Sequence, residues 1–320
     1  MPLGIRAIVD FVFKKIFGSP ENSIVLIGLL NAILKLPRPI VAVEILNPFN
    51  YQEFADAKQI ILDVRAKDSL GRWFNIEMQV STFAGLTQRI VFYACSLYVD
   101  QLGKGGNYAT LCSAISVCLL NKVLFHDNPK PHHRFQLIDE PSGRRLDHAI
   151  EIHTLELPKY NLNEATIAQA DKLDQWVFLL LRAHEYDAVR LRQLLPGIEF
   201  DQAIGVIETI ASKTEDRQMY DQREKALRDH EWALSSARQE GRQEGRQEGR
   251  QEGRQEGEET GLKKGRQEGQ EQGVVAGKIQ LIQELLGDAV LTIAQLETKT
   301  PAELESTLAE LQARLRNRQA

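Results

Sequence analysis

Residues 61–79 read ILDVRAKDSLGRWFNIEMQ, two β-rich runs around the Ser69-Leu70-Gly71 stretch. Side chains alternate faces along a strand, so residues two apart point the same way. In the second run Asn75, Glu77 and Gln79 share one face, while Phe74, Ile76, Met78 and Val80 line the other. In the first run Asp63 shares a face with Ile61 and Arg65. Register decides whether the two acids meet. A three-residue hairpin loop ends on a left-handed residue, and Gly71 suits that place. Such a loop pairs Asp68 with Arg72 and sets Asp63 opposite Glu77. A slip of one residue would send the acids to opposite faces.

Directly opposed residues have Cβ atoms about 4.5–5.5 Å apart, and like charges there destabilise a sheet. A hard divalent cation offsets the repulsion. Mg²⁺ takes one or two carboxylates, keeps several waters and reaches for phosphate oxygens. It polarises a phosphoryl group and lowers the pKa of an attacking water. Gln79, on the face of Glu77, can orient that water or hydrogen-bond a phosphate but brings no positive charge. The plainer alternative is a solvated hairpin face with two unrelated acids, one neutralised by Arg65.

The rest of the chain frames this hairpin. With 320 residues, 43% hydrophobic and 26% charged, it has room for one sizeable core and an appended part. No secretory signal opens it, and apolar runs such as SIVLIGLLNAIL are too short to span a bilayer as a helix. Cys95, Cys112 and Cys118 lack zinc spacing and read as reduced, buried thiols, so the cytoplasm is the expected compartment and no membrane partner is expected. The net charge of −5 is uneven: residues 1–160 hold 17 Lys+Arg against 15 Asp+Glu, residues 161–237 hold 9 against 14. Such a weak basic excess neither supports nor excludes phosphate binding, and a site with its own cation needs less protein charge.

Apolar spacing predicts helices over residues 8–17 and 23–36, a strand at VAVEIL, then the hairpin. A long amphipathic helix over 86–102 follows, closed by Gly103, Gly105 and Gly106. LCSAISVCLL, RFQLID and AIEIHTLEL read as strands, and 163–237 as helices broken at Pro196-Gly197. This is an α/β pattern with a mixed sheet, a helical extension and a carboxyl-terminal arm. The expected domains are 1–230, a repeat segment 231–278, and a helical segment 279–320.

Several of these stretches carry a resemblance. The spacing D-x13-E-x-Q across a hairpin, followed by a helix, resembles the PD-(D/E)XK nuclease superfamily. More closely, the chain is similar to the Rpn-type recombination-promoting nuclease and transposase family. The similarity runs through DFVFKKIFG (10–18), LNAIL, EILNPFN, the hairpin, QRIVFYACSLYVDQL, NYATLCSAISVCLLN and HTLELPKY (153–160). It covers roughly residues 5–230. The resemblance implies a PD-(D/E)XK nuclease-like α/β fold and hydrolysis of DNA phosphodiester bonds with Mg²⁺ or another divalent cation such as Mn²⁺. It also implies a bacterial cytoplasm and a link to recombination or a mobile element. Asp63 and Glu77 fall at the metal-binding acids, Gln79 at the place usually held by lysine, and Asp10 at the acid of the first helix. Leu62 replaces the motif's proline. Loss of the lysine removes a cation that would stabilise transition-state charge.

Arg89 and Tyr93 lie one turn apart on the helix after the hairpin. Arg89 can meet the scissile phosphate or stand in for the missing lysine charge; it can equally snorkel over the sheet edge. Lys14 and Lys15 read as a solvated pair or as contacts to DNA backbone. His132-His133, in a proline-flanked stretch, reads as a surface turn, His126 and His153 find no ligand set, and Glu156 before proline reads as structural.

RQEG occurs five times in succession from Arg238 to Gly257, with glycine at every fourth position from Gly241 to Gly277. Ten glycines cost a helix on the order of 10 kcal/mol relative to alanine, and the period stacks like charges at i,i+4. Two readings stay open. The tract is a flexible polar linker, or it becomes helical when chains associate, Arg columns facing Glu columns, with a period above 3.6 favouring right-handed winding. Three function classes follow: a metal-dependent DNA endonuclease using Asp63, Glu77 and Gln79; a catalytically inactive DNA-binding or assembly protein of the same fold; and a structural protein acting through the repeat.

Overall fold

The computed structural model describes residues 1–50, 63–80 and 84–319. Ile61 and Leu62, including the departure from the motif's proline, lie outside the described residues. The chain divides into two compact units, Met1–Ala233 and Leu234–Ala320.

The first unit is a mixed six-stranded sheet covered on both faces. Its strands are β1 (Val43–Ile45), β2 (Asp63–Asp68), β3 (Trp73–Gln79), β4 (Ala114–Leu120), β5 (His132–Gln136) and β8 (Ile150–Glu156). Their order is β1-β2-β3-β4-β8-β5. The hairpin makes β1, β2 and β3 antiparallel, β3, β4 and β8 run parallel, and β5 closes the far edge antiparallel to β8. The stretch RFQLID, read as one strand, is split. His132–Gln136 joins the main sheet, while β6 (Ile138–Asp139) pairs with β7 (Arg144–Arg145) in a separate ribbon.

The alternation of the hairpin assigns the two faces. Val64, Ala66, Phe74, Ile76 and Met78 are all fully buried. They pack with α1 (Asp10–Phe17), α2 (Ser23–Leu34), α5 (Lys172–Arg182) and α7 (Ile198–Ser212), around Phe11, Phe13, Phe17, Trp176 and Phe200. Between these helices lie the short α4 (Glu164–Ile167) and, after α5, α6 (Ala188–Leu194). Among the described residues no single helix is long and apolar enough to cross a membrane, and the apolar α1 and α2 are core helices. The opposite face carries α3 (Leu86–Val99), whose Leu86, Ile90 and Ala94 pack on Cys118, Leu120 and Ile152. Only Cys118 of the three free cysteines is buried; Cys112 is half-buried and Cys95 exposed, because Cys95 lies off the buried stripe of α3.

A single helix, α8 (Thr214–Leu286), runs 73 residues through the whole repeat. The tract is therefore helical despite its glycines. Both ends of the helix are held by packing: Met219, Tyr220 and Leu227 in the core of the first unit, Ile279 and Ile282 in that of the second. Nucleation, the costly step, is supplied from outside the repeat. In the second unit Ile279 and Ile282 pack with Leu296 of α9 (Ile293–Glu297) and with Leu304 and Leu311 of α10 (Pro301–Gln319).

Candidate metal and phosphate site

The turn is built as its chemistry predicts. Gly71 has φ +82°, and a Cβ there would meet Cys112 Sγ at 2.9 Å, so a side chain is excluded twice over. The Asp68 amide donates to the Arg72 carbonyl (3.0 Å), and the Gly71 amide to the Asp68 carbonyl (3.0 Å). Asp68 also ties its own loop, accepting from the Leu70 and Arg72 amides and from Arg72 Nε. This fixes the register and places Asp63 directly across from Glu77 and Arg65 across from Asn75.

The two acids are exposed differently. Glu77 is buried, and Asp63, at the start of β2, is about one-third exposed. Burial pushes the Glu77 carboxyl above the usual carboxylate range; Arg89 pulls it back, and the charge of Asp63 pushes it up again. The guanidinium contacts at this pair are long. Arg89 Nη2 stands 3.2 Å from Glu77 Oε1, and Arg65 Nε stands 3.3 Å from Asp63 while its Nη1 reaches Asp100 at 3.2 Å. Arg89 is itself stacked over the Tyr93 ring, 5.1 Å from its centroid.

This donor set fits a hard cation. Cys118, beside Glu77 on β4, stays a thiol, because burial raises its pKa and Glu77 raises it further. The strip is thus oxygen-only: Asp63, Glu77, the buried Gln79 amide, and Asn75 Oδ1, which is buried without a hydrogen-bond partner among the described residues. Oxygen donors with a repelling carboxylate pair suit Mg²⁺ or Mn²⁺ rather than a soft metal. Among the described residues no group of three or more His, Cys, Asp or Glu side chains is arranged around a metal position. Water and phosphate oxygens would have to complete the coordination.

Other residues singled out in the sequence go elsewhere. Asp10 does not join the pair. Its Oδ1 accepts from the Phe11 amide (2.8 Å), its Oδ2 lies 3.7 Å from Arg223 Nη1, and burial raises its pKa. Lys14 is the α1 residue that reaches the site: its buried Nζ donates to the main-chain oxygen of Asp63 at 2.7 Å. Asn47 donates to the same oxygen (3.3 Å) and accepts from the Arg65 amide (2.7 Å), so the backbone from the Asp63 carbonyl to the Arg65 amide is clamped. Lys15 pairs with the buried Asp216 at 2.6 Å. Neither lysine is a solvated face or a free DNA contact.

The histidines also need correcting. His132 lies on β5, not in a turn, and its Nε2 is 2.8 Å from His153 Nδ1. His153 Nε2 is 2.6 Å from Glu151 Oε1, and Glu151 is further held by Arg134 (2.8 and 2.7 Å) and Gln136 (2.6 Å). Glu156 accepts from the Leu124 and Phe125 amides and pairs with Lys159, the structural role its place before proline predicts.

The family model described as PD-(D/E)XK nuclease family transposase matches residues 7–237. No curated protein and no solved structure matches the chain. The match covers well over half of the sequence and the whole sheet with its flanking helices, a fold that suits a nuclease. The chain belongs to the PD-(D/E)XK nuclease family of transposases.

Proposed function

We propose that this chain is a divalent-metal-dependent DNA endonuclease that hydrolyses phosphodiester bonds, in the service of recombination or a mobile element. The observation that carries the reading is the opposition of Asp63 and Glu77 across the hairpin, with the Glu77 carboxyl held above its ordinary range. Asp63 and Glu77 hold the cation. When bound, it polarises the phosphoryl group and makes water a better nucleophile near neutral pH. Gln79 hydrogen-bonds and aims the attacking water. Arg89, held over Tyr93 beside Glu77, meets the scissile phosphate. Lys14 and Asn47 keep the Asp63 backbone in place. Self-association through the repeat is proposed beside it and stands apart from the nuclease reading.

The test is nicking of supercoiled plasmid in Mg²⁺ alongside Mn²⁺ titration calorimetry, comparing wild type with Asp63→Ala and Glu77→Ala. Each variant should lose on the order of a thousandfold in cleavage rate and most of its metal heat. Equal nicking by wild type and Glu77→Ala would favour the inactive DNA-binding alternative.

A further inference from the structure

The repeat tract of α8 is exposed from Gly241 to Val274, and contacts among the described residues do not account for its composition. A Cβ built on any glycine from Gly241 to Gly277 meets no atom within 4 Å. Among the described residues no contact therefore requires glycine there. The charges are equally unexplained. Within RQEG repeats an Arg has Gly or Gln three residues away and Arg four away; a Glu has Gln or Gly three away and Glu four away. Among the described residues from Gly241 to Gly277, ion pairs at helical spacing form where the repeat breaks, at Arg254–Glu258 and Glu259–Lys263. At about 100° per residue, the Arg row and the Glu row lie about 200° apart, with glycine and glutamine rows on the two faces between them.

We propose that these Arg and Glu rows are an interface for a second copy of this chain, running parallel. Rows at i±4n interdigitate at a crossing of about −50°, and the bare glycine row is the groove that admits the partner. A closed pair of identical chains has two-fold symmetry. With the axis along parallel helices, the rotation carries each Arg row to the flank where the partner's Glu row lies, so both flanks pair opposite charges. With antiparallel helices, the rotation sets Arg against Arg and Glu against Glu. Charge alone selects the parallel pair. Both chains then enter the tract from the same end. The pairing does not rest on the nuclease reading.

The test uses the full chain and reads mass and cross-links, not cleavage, so it can fail independently of the nuclease reading. By light scattering in low salt the wild type should weigh two chains. Arg242→Glu, Arg246→Glu and Arg250→Glu together should weaken pairing by on the order of tenfold or more. Glu244→Arg, Glu248→Arg and Glu252→Arg together should do the same, and an equal mixture of the two triple variants should recover the pair. For orientation, Gly245→Cys and Gly253→Cys are treated separately and mixed with a short bis-maleimide, the native protein serving as control for Cys95. Parallel pairing links each single variant to itself. The proposal is overturned by a wild-type mass of one chain, by a mass above two chains, or by charge reversal that leaves the mass unchanged. Links that form only in the mixture overturn it too.

Discussion

Two buried acids on one sheet are treated in opposite ways. Glu151, on β8 near the far edge, is over-supplied: two short bonds from Arg134, one from Gln136 and one from His153. Burial works against its ionisation, yet the His153 and Arg134 hydrogen bonds outweigh it and bring the carboxyl down to about 2. Glu77, on β3, has one long contact from Arg89 and a second acid across the strand, and its carboxyl is pushed up. The first arrangement completes a structure and leaves little for a ligand to add. The second keeps anionic oxygens desolvated and poorly neutralised, which is what a cation or a phosphate-bound cation relieves.

Exchanging each acid for its amide should separate the two. Breaking a buried ion pair costs about 3–5 kcal/mol. Arg134 is 43% exposed and water recovers part of that, so Glu151→Gln should lose about 2–3 kcal/mol. For a unit of this size that is a fall of roughly 5–10 °C in Tm. Glu77→Gln should stay within about 1 kcal/mol of wild type or gain stability, because it removes an under-paired buried charge. It should nonetheless abolish Mn²⁺ binding. Scanning calorimetry with and without Mn²⁺ reads both. A Glu77→Gln protein as unstable as Glu151→Gln would make Glu77 a structural acid and break the contrast.

The same contrast has a sign in pH. Glu151 titrates at about 2 folded against 4.5 in its ordinary state, so its stabilisation is complete above 4.5 and lost as pH falls toward about 2. His132 acts in the same direction. Glu151 accepts a hydrogen bond from His153 Nε2, and His153 Nδ1 lies 2.8 Å from His132 Nε2. Burial and the neighbouring His153 lower the His132 pKa from 6.5 to about 4, so stability is lost as pH falls between those values. Glu77 runs the other way: its raised pKa means the folded state holds a proton longer than the unfolded one, and stability falls as pH rises past 4.5 through the raised value. Urea unfolding of wild type and both amide variants across pH should show the Glu151→Gln deficit vanish in acid. The Glu77→Gln advantage should grow toward neutrality. Parallel curves for the two variants would contradict the assignment.

What could be read from the sequence follows the same division. The Asp63–Glu77 opposition was legible because it depends on a local turn, with Gly71 at its end setting the register, and strand alternation then carries that register outward. The α/β class and most element positions rest on equally local periodicity. The Glu151–His153–His132 chain was not legible: His132 and His153 meet only because β5 folds back antiparallel on β8, and nothing near His132 announces that pairing. Asp10 fails for a similar reason. Its charged partner, Arg223, comes from the start of a helix at the opposite end of the first unit's sequence. Lys14 could have been suspected from its place beside the apolar stripe of α1, but its acceptor is a backbone oxygen, which no side-chain pattern encodes.

The smallest expected effect tests how Arg89 is held rather than whether it is needed. Arg89 touches Glu77 at 3.2 Å and stacks over Tyr93 one turn along α3. Tyr93→Leu keeps the charge and an apolar side chain but removes the ring's negative face. A partly exposed cation–π contact is worth about 0.5–1 kcal/mol, which corresponds to roughly a two- to fivefold change in an equilibrium. If Arg89 serves mainly to meet the phosphate, KM for DNA should rise by about that factor while kcat and Mn²⁺ affinity stay nearly constant. A loss confined to kcat would mean the stacked guanidinium acts only on the transition state, and Arg89 would then take over the charge that Gln79 cannot bring. If Tyr93→Leu matched Glu77→Gln in severity, the pair of acids would not be the centre of the site, because a residue that touches neither of them would be setting the rate.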